Sequence, residues 1–260
     1  MEVISSKTNE KIKYAVKLRD SASYRKAEKK FFIESARLVK DAALSGAEIE
    51  MLFVTEEANE KYSDYVKDIL NSTEKAFIIS KEIAEKLADT KSTQGVFAVI
   101  RMLDKFANIS KIKYYGKYVA LEEISNPSNF GAICRTAEAV GLDGIIIKGG
   151  CDVYNPKVQR AAMGALFRLN VVAVDDLSVL FSELKSNGMK IYGSVPDSSA
   201  LKITDIDKNS GMVCVIGNEG NGISDEVKSA STLVTIPMNG YAESLNAAAA
   251  ATIIMWEMVR

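Results

Sequence analysis

Residues 212–224 read MVCVIGNEGNGIS, and residues 233–246 read LVTIPMNGYAESLN. Each stretch begins as a β-branched apolar run, turns through a polar glycine-containing loop and feeds a helical pattern. A strand, such a loop and a helix in that order is where α/β proteins bind ligands, because the loop backbone approaches closely and the helix start offers free N–H groups. The two loops are expected to form one cofactor pocket, with the rest of the chain delivering a substrate to it. Glycine order excludes the familiar nucleotide cradles. Gly217, Gly220 and Gly222 are spaced G-x-x-G-x-G rather than G-x-G-x-x-G, and Ile223-Ser224 stands where a P-loop needs Lys-Ser/Thr. The bland alternative is that these glycines only let the backbone turn tightly.

Working outward, the 260 residues are 47% apolar and 26% charged, the balance of a soluble globular protein with ample core. The net charge of −1 hides an uneven distribution. Residues 1–40 hold eight Lys and three Arg against five acids, whereas residues 41–100 hold six Lys against twelve acids. A basic face therefore belongs in the first forty residues, unless these charges only solvate a helical surface. Histidine is absent, which excludes Ser-His-Asp and Cys-His nucleophilic machinery and the commonest zinc sites. Cys134, Cys151 and Cys214 show no metal-ligand spacing and read as reduced thiols, so no metal is expected. No apolar run reaches the roughly 18 residues that span a bilayer, and the N-terminal MEVISSKTNEKIK lacks a secretory apolar region. A cytoplasmic protein with no membrane partner is expected.

Periodicity predicts helix over 9–46, a strand at 51–54, helix over 60–70, a strand at 76–79, a short helix at 81–87 and a strand at 95–102. This is a small α/β domain. Residues 104–117 (DKFANISKIKYYGK) are polar and basic, and read as an inter-domain connection. Beyond them strands are expected at 118–121, 144–147, 169–174, 190–195, 212–216 and 233–236. Helices alternate with them at 131–140, 156–166 and 177–187, from Ser224, and from about Ser244 to the end. That alternation predicts a mainly parallel sheet with helices on both faces. The expected domains are thus 1–103, a linker 104–117, and 118–260.

A third loop, 126–137 (NPSNFGAICRTA), also feeds a helix. Asn129 is a candidate cap. Arg135 is expected in the first turn, where its charge opposes the helix dipole, so an anionic partner such as a phosphate explains it better than local stability.

Together N-x-G-A-I-x-R-T-A at 129–137, I-G-N-E-G-N-G-I-S at 216–224 and I-P-M-x-G-x-x-x-S-L-N at 236–246 resemble the three motifs of the SpoU (TrmH-type) RNA 2′-O-methyltransferases, in order and spacing, over residues 118–260. The first domain resembles that family's substrate-binding domain, an L30e-like α/β fold, through the basic stretch 25–40 and the closing Thr93–Val99. The resemblance implies a deep trefoil knot in the C-terminal segment, against the general rule that chains avoid knots. It also implies S-adenosylmethionine as cofactor, RNA as partner and a homodimer through the helices near Gly131 and Ser244. It assigns cofactor binding to Ile216, Gly217, Asn218, Gly220, Ile236, Pro237, Met238 and Leu245. It assigns catalysis to Asn129, Arg135, Glu219, Ser244 and Asn246, with Arg135 a phosphate clamp first and a base second, because arginine's pKa is very high.

The expected function is 2′-O-ribose methylation of structured RNA, with large-subunit (23S) ribosomal RNA as the target and transfer RNA as the alternative. A non-catalytic RNA-binding module would lack Asn129, Arg135, Ser244 or Asn246, and all four are present. A nucleotide-dependent oxidoreductase fails on glycine order.

Overall fold

The computed structural model describes residues 1–70, 73–103 and 109–260. The strands are β1 Glu2–Ile4, β2 Lys30–Glu34, β3 Ile49–Thr55, β4 Thr73–Ile79, β5 Val96–Arg101, β6 Lys117–Glu122, β7 Gly144–Lys148, β8 Val171–Ala173, β9 Lys190–Ser194, β10 Leu201–Lys202, β11 Met212–Ile216 and β12 Thr232–Thr235. The helices are α1 Glu10–Asp20, α2 Ala22–Glu28, α3 Ala36–Leu44, α4 Glu56–Lys61, α5 Ser63–Leu70, α6 Lys81–Leu87, α7 Pro127–Ala139, α8 Pro156–Ala162, α9 Ala165–Arg168, α10 Leu177–Ser186, α11 Asp225–Ser229 and α12 Ala247–Val259. The chain forms two compact units, Met1–Leu103 with Asp152–Phe167, and Asp104–Cys151 with Arg168–Arg260. Of the expected linker 104–117, residues 104–108 lie outside the described residues.

The first unit is built on a five-stranded sheet in the order β1-β4-β3-β5-β2, with β1, β4 and β3 parallel and β5 antiparallel to both of its neighbours. Strand β2 overturns the expectation of helix throughout 9–46. Lys29 adopts a left-handed conformation (φ 51°) and ends α2, after which Phe31-Phe32-Ile33 pair with β5 and are fully buried on both faces. A short apolar run bounded by a chain reversal cannot be told from helix by periodicity alone. On one face Phe32 stacks near Phe97 at 5.8 Å, in the core that also holds Ile12, Leu18 and Phe53. Phe31 meets Tyr154 at 4.6 Å and Phe167 at 6.3 Å, so the segment Asp152–Phe167 packs within this unit. Arg25, part of the basic stretch, is only 2% exposed. Its guanidinium pairs with Asp152 at 2.6 Å and donates to the Leu18 and Arg19 carbonyls, a structural role rather than a place on a basic face.

The second unit carries a seven-stranded sheet in the order β10-β12-β9-β11-β6-β7-β8, and every pairing is parallel. Tyr118, Ala120, Ile146, Val213 and Val215 share a core with Leu180, Phe181 and Leu184 of α10. Their strand neighbours Val119, Leu121, Ile145 and Cys214 point to the other face and are just as buried; there α7 packs on β7, α12 packs on β6 and β11, and the two helices pack against each other. Burial on both faces is why these strands read as continuous apolar runs.

In the second unit two helix starts differ from the sequence reading. Helix α7 begins at Pro127, not near Gly131, because Asn126 accepts from the Ser128 and Asn129 N–H groups and proline suits the first helical position. Arg135 is therefore the ninth residue of α7 and not in its first turn, and the cap is Asn126 rather than Asn129. Helix α12 begins at Ala247, capped by Asn246 rather than Ser244.

Candidate active site

All seven strands run the same way, so β6, β9, β11 and β12 deliver their carboxyl ends to one edge of the sheet, the edge where open α/β sheets bind ligands. After β11 the chain doubles back within six residues. Asn218 and Gly222 exchange backbone hydrogen bonds of 3.1 and 2.9 Å, and Asn218 Oδ1 accepts from the Gly220 and Asn221 N–H groups. Gly217 is obligatory here, since a Cβ would lie 2.1 Å from the Gly222 carbonyl carbon.

This loop, the β12–α12 loop and the end of β9 enclose a cleft of about 840 Å³. Of the residues expected to bind cofactor, Ile216, Gly217, Asn218, Gly220, Ile236, Met238 and Leu245 line it, and Pro237 does not. Glu219, Ser244 and Asn246 also line it.

Three polar side chains, from the first turn of α7, the β11–α11 loop and the cap of α12, form one connected row. Asn246 Nδ2 donates to Asn129 Oδ1 at 3.1 Å, and Asn129 Nδ2 donates to Glu219 Oε1 at 3.0 Å. The same carboxylate accepts from the Asn126 N–H (3.1 Å), the Ser125 N–H (3.1 Å) and the Ser125 hydroxyl (2.9 Å). A carboxylate only accepts, so the Asn129 amide must turn its nitrogen to Glu219 and its oxygen to Asn246. Asn246 Oδ1 is taken by the Ala248 and Ala249 N–H groups of α12, which forces its nitrogen towards Asn129. Amide orientation is thus set along the whole row. Partial burial pushes the Glu219 carboxyl up, but the donors on Asn129, Ser125 and Asn126 outweigh it and hold it down at about 2.

Arg135 is not joined to this row. It is exposed, six residues further along α7 than Asn129, and no described hydrogen bond connects it to the cleft. Burial pushes the Cys134 and Cys214 thiols up, so neither is a nucleophile at neutral pH. Among the described residues no cluster of His, Cys, Asp or Glu is arranged to hold a metal ion, and no helix is long and apolar enough to cross a membrane.

Sequence reasoning missed Ser125 and Asn126, which hold Glu219, and Ser194–Asp197 after β9, which line the cleft. Polar residues near the carboxyl end of a parallel strand, Ser125 and Asn126 beyond β6 and Ser194 and Asp197 at the end of β9, are the available signal for both.

Residues 116–256 match the model of the SpoU rRNA Methylase family, more than half of the chain. The chain belongs to the SpoU rRNA methylase family. Residues 9–98 match an MRM3-like substrate binding domain. Over 260 residues, 99% of each chain, this SpoU protein is 28% identical to the 23S rRNA (guanosine(2553)-2′-O)-methyltransferase RlmP of Bacillus subtilis. It is 32% identical to a TrmH-family tRNA/rRNA methyltransferase of Staphylococcus haemolyticus, over 85% of this chain and 92% of that one. Among solved structures it is similar to the SpoU methyltransferase AviRb from Streptomyces viridochromogenes in complex with AdoMet. That likeness has 25% identity and a TM-score of 0.84, and covers 96% of this chain and 97% of the other.

Proposed function

We propose that this chain transfers a methyl group from S-adenosylmethionine to a ribose 2′-hydroxyl of structured RNA, with 23S ribosomal RNA as the target. The observation that carries this reading is the Glu219–Asn129–Asn246 row at the 840 Å³ cleft. Membership of the SpoU family, the named activity of RlmP and the AdoMet complex of AviRb support it.

The cleft suits the cofactor. Ile216, Ile236, Met238 and Leu245 offer apolar wall, and at Gly217 the absence of a side chain lets the folded loop close tightly beside the cleft. Those residues with Asn218 and Gly220 are assigned to cofactor binding; Pro237, which does not line the cleft, is not. When bound, S-adenosylmethionine supplies a methyl group already activated on a sulfonium. What is left to the protein is to aim the ribose hydroxyl and handle its proton. Asn246 and Ser244 orient the ribose. Asn129 presents a fixed amide, and Glu219 holds that amide and the start of α7 in place. Arg135 clamps a substrate phosphate and favours the developing alkoxide electrostatically; a guanidinium is too weak an acid to serve as a neutral base.

The reading extends to architecture. Along the chain the domains divide as 1–103, linker 104–117 and 118–260, except that Asp152–Phe167 packs with the first unit, and the first domain holds RNA in keeping with its match to a substrate binding domain. The C-terminal segment threads into a trefoil knot. The chain works in the cytoplasm as a homodimer through α7 and α12; supporting this, α12 is almost wholly apolar yet leaves Trp256 56% and Ile253 39% exposed.

The test is incubation with labelled S-adenosylmethionine and total RNA, followed by mapping of the product. Label on a ribose of 23S RNA is expected. Label on a base, or on no RNA, overturns the reading, and label confined to transfer RNA overturns the choice of target.

A further inference from the structure

A second cleft, of about 540 Å³, shares Asn218, Asn221, Gly222 and Ile223 with the larger one. It is large enough for one nucleoside, and the residues after β6 and β7 wall it.

Glu123 is the residue there that demands explanation. Its φ of 55° is a strained conformation for a residue with a side chain, and such strain persists where the surroundings enforce it. They do so here. The Glu123 N–H donates to the Lys148 carbonyl at 2.9 Å, its carbonyl accepts from Asn218 Nδ2 at 2.8 Å, and its Oε2 accepts from the Gly150 N–H at 3.0 Å. Gly149 and Gly150 both have positive φ, and a Cβ on Gly149 would lie 2.1 Å from Glu123 Oε1. The turn is glycine because the carboxylate occupies that space. Oε1 receives no hydrogen bond among the described residues, and Glu123 is exposed.

The wall beside it holds a donor. Buried Glu122 accepts from Lys148 Nζ at 3.1 Å and from the Ser224 N–H at 2.8 Å. An ammonium has three donors, so Lys148 keeps others to offer. Its pKa is raised first by the Glu122 hydrogen bond and further by the nearby Glu226 and Glu123 charges, which keeps it cationic. Two carboxylates against one lysine make this a poor place for a phosphate. They make a good one for a ligand edge with donors for Glu123 and an acceptor for Lys148.

We infer that this cleft takes the base of the target nucleotide and that the base is guanine, read by Glu123 at N1–H and N2–H and by Lys148 at O6. An acceptor-only carboxylate selects strongly among bases. Guanine alone presents two adjacent donors on its Watson–Crick edge. Adenine and cytosine set a ring-nitrogen lone pair beside their amino group, and uracil has one donor between two acceptors. Recognition of an unstacked base by its Watson–Crick edge is the usual mode for single-stranded RNA.

This inference rests on the methyl-transfer reading for where the ribose lies, and two measurements separate the two. In the first, the full chain labels total RNA, which is then digested to nucleosides. Label is expected in 2′-O-methylguanosine. Label in any other 2′-O-methylnucleoside overturns the guanine assignment and leaves methyl transfer standing. The second needs no turnover: saturation-transfer NMR compares guanosine with adenosine as ligands. Guanosine is expected to bind better, by about tenfold or more, and to lose that advantage in Glu123→Gln, whose amide oxygen still accepts from Gly150. Equal binding of the two nucleosides, or undiminished guanosine binding by the variant, overturns it. If no RNA is labelled, the methyl-transfer reading fails, and nucleoside binding still decides this one.

Discussion

The two sheets treat the carboxyl ends of their strands in opposite ways. In the first unit strand passes to helix almost without a loop: β2 reaches α3 through Ser35 alone, β3 reaches α4 with Thr55 as the cap, and β4 reaches α6 through Ser80 alone. Each hydroxyl is spent on the helix it caps. In the second unit four residues separate β6 from α7, eight separate β11 from α11, and eleven separate β12 from α12. Those loops bring Glu219 and Asn246 together with Asn129 in the first turn of α7. A shared strand-to-helix plan thus gives structure where the connection is short and chemistry where it is long.

The sharpest way to break this contrast is at Arg135. Arg135→Ala is expected to lower turnover by about a thousandfold while cofactor affinity, read by calorimetry, stays unchanged. Normal turnover would remove Arg135 from the mechanism. Gly217→Ala comes next. Its Cβ would meet Gly222 at 2.1 Å and Ile223 at 2.2 Å, so calorimetry should find cofactor binding lost, with about 1–3 kcal/mol of stability lost in denaturant titration. Tight cofactor binding in that variant would mean the loop can refold around a methyl group.

On the short-loop side, Thr55→Val removes the acceptor for the Ala58 N–H at 3.1 Å. It should cost about 1 kcal/mol of stability and leave cofactor affinity untouched. A change in affinity would contradict the division of labour. The smallest effect concerns pH. Glu219 is depressed from 4.5 to about 2 in the folded protein, so the stabilisation it brings is complete above pH 4.5 and is lost as pH falls towards 2. Carboxyl carbon NMR should place its midpoint near 2 and show no titration between pH 5 and 8; a midpoint near 4.5 would mean the Asn129 contact is absent in solution.

The Gly217 loop was legible because its demands are local: a tight reversal needs glycine, and the apolar runs on either side announce buried strands. The start of α7 is ambiguous in the sequence although Asn126-Pro127 is a local signal, because Asn129 offers a competing cap three residues later. Strand β2 is not separable from helix in the sequence, since Phe31-Phe32-Ile33 fits either period and only its pairing with β5 decides. Arg25 looked like part of a basic face and is buried against Asp152, 127 residues away.

By itself, the sequence determined the α/β alternation, the glycine loop, the family and the polar residues available for chemistry, since each is written in spacing or residue type. Only the tertiary structure decided which of them meet. Glu219 and Asn129 lie ninety residues apart, and Asn129 and Asn246 are 117 apart. Their hydrogen bonds exist because β11 lies beside β6 in a parallel sheet whose strands end at one edge. Strand order is set by long-range packing, which no local period encodes.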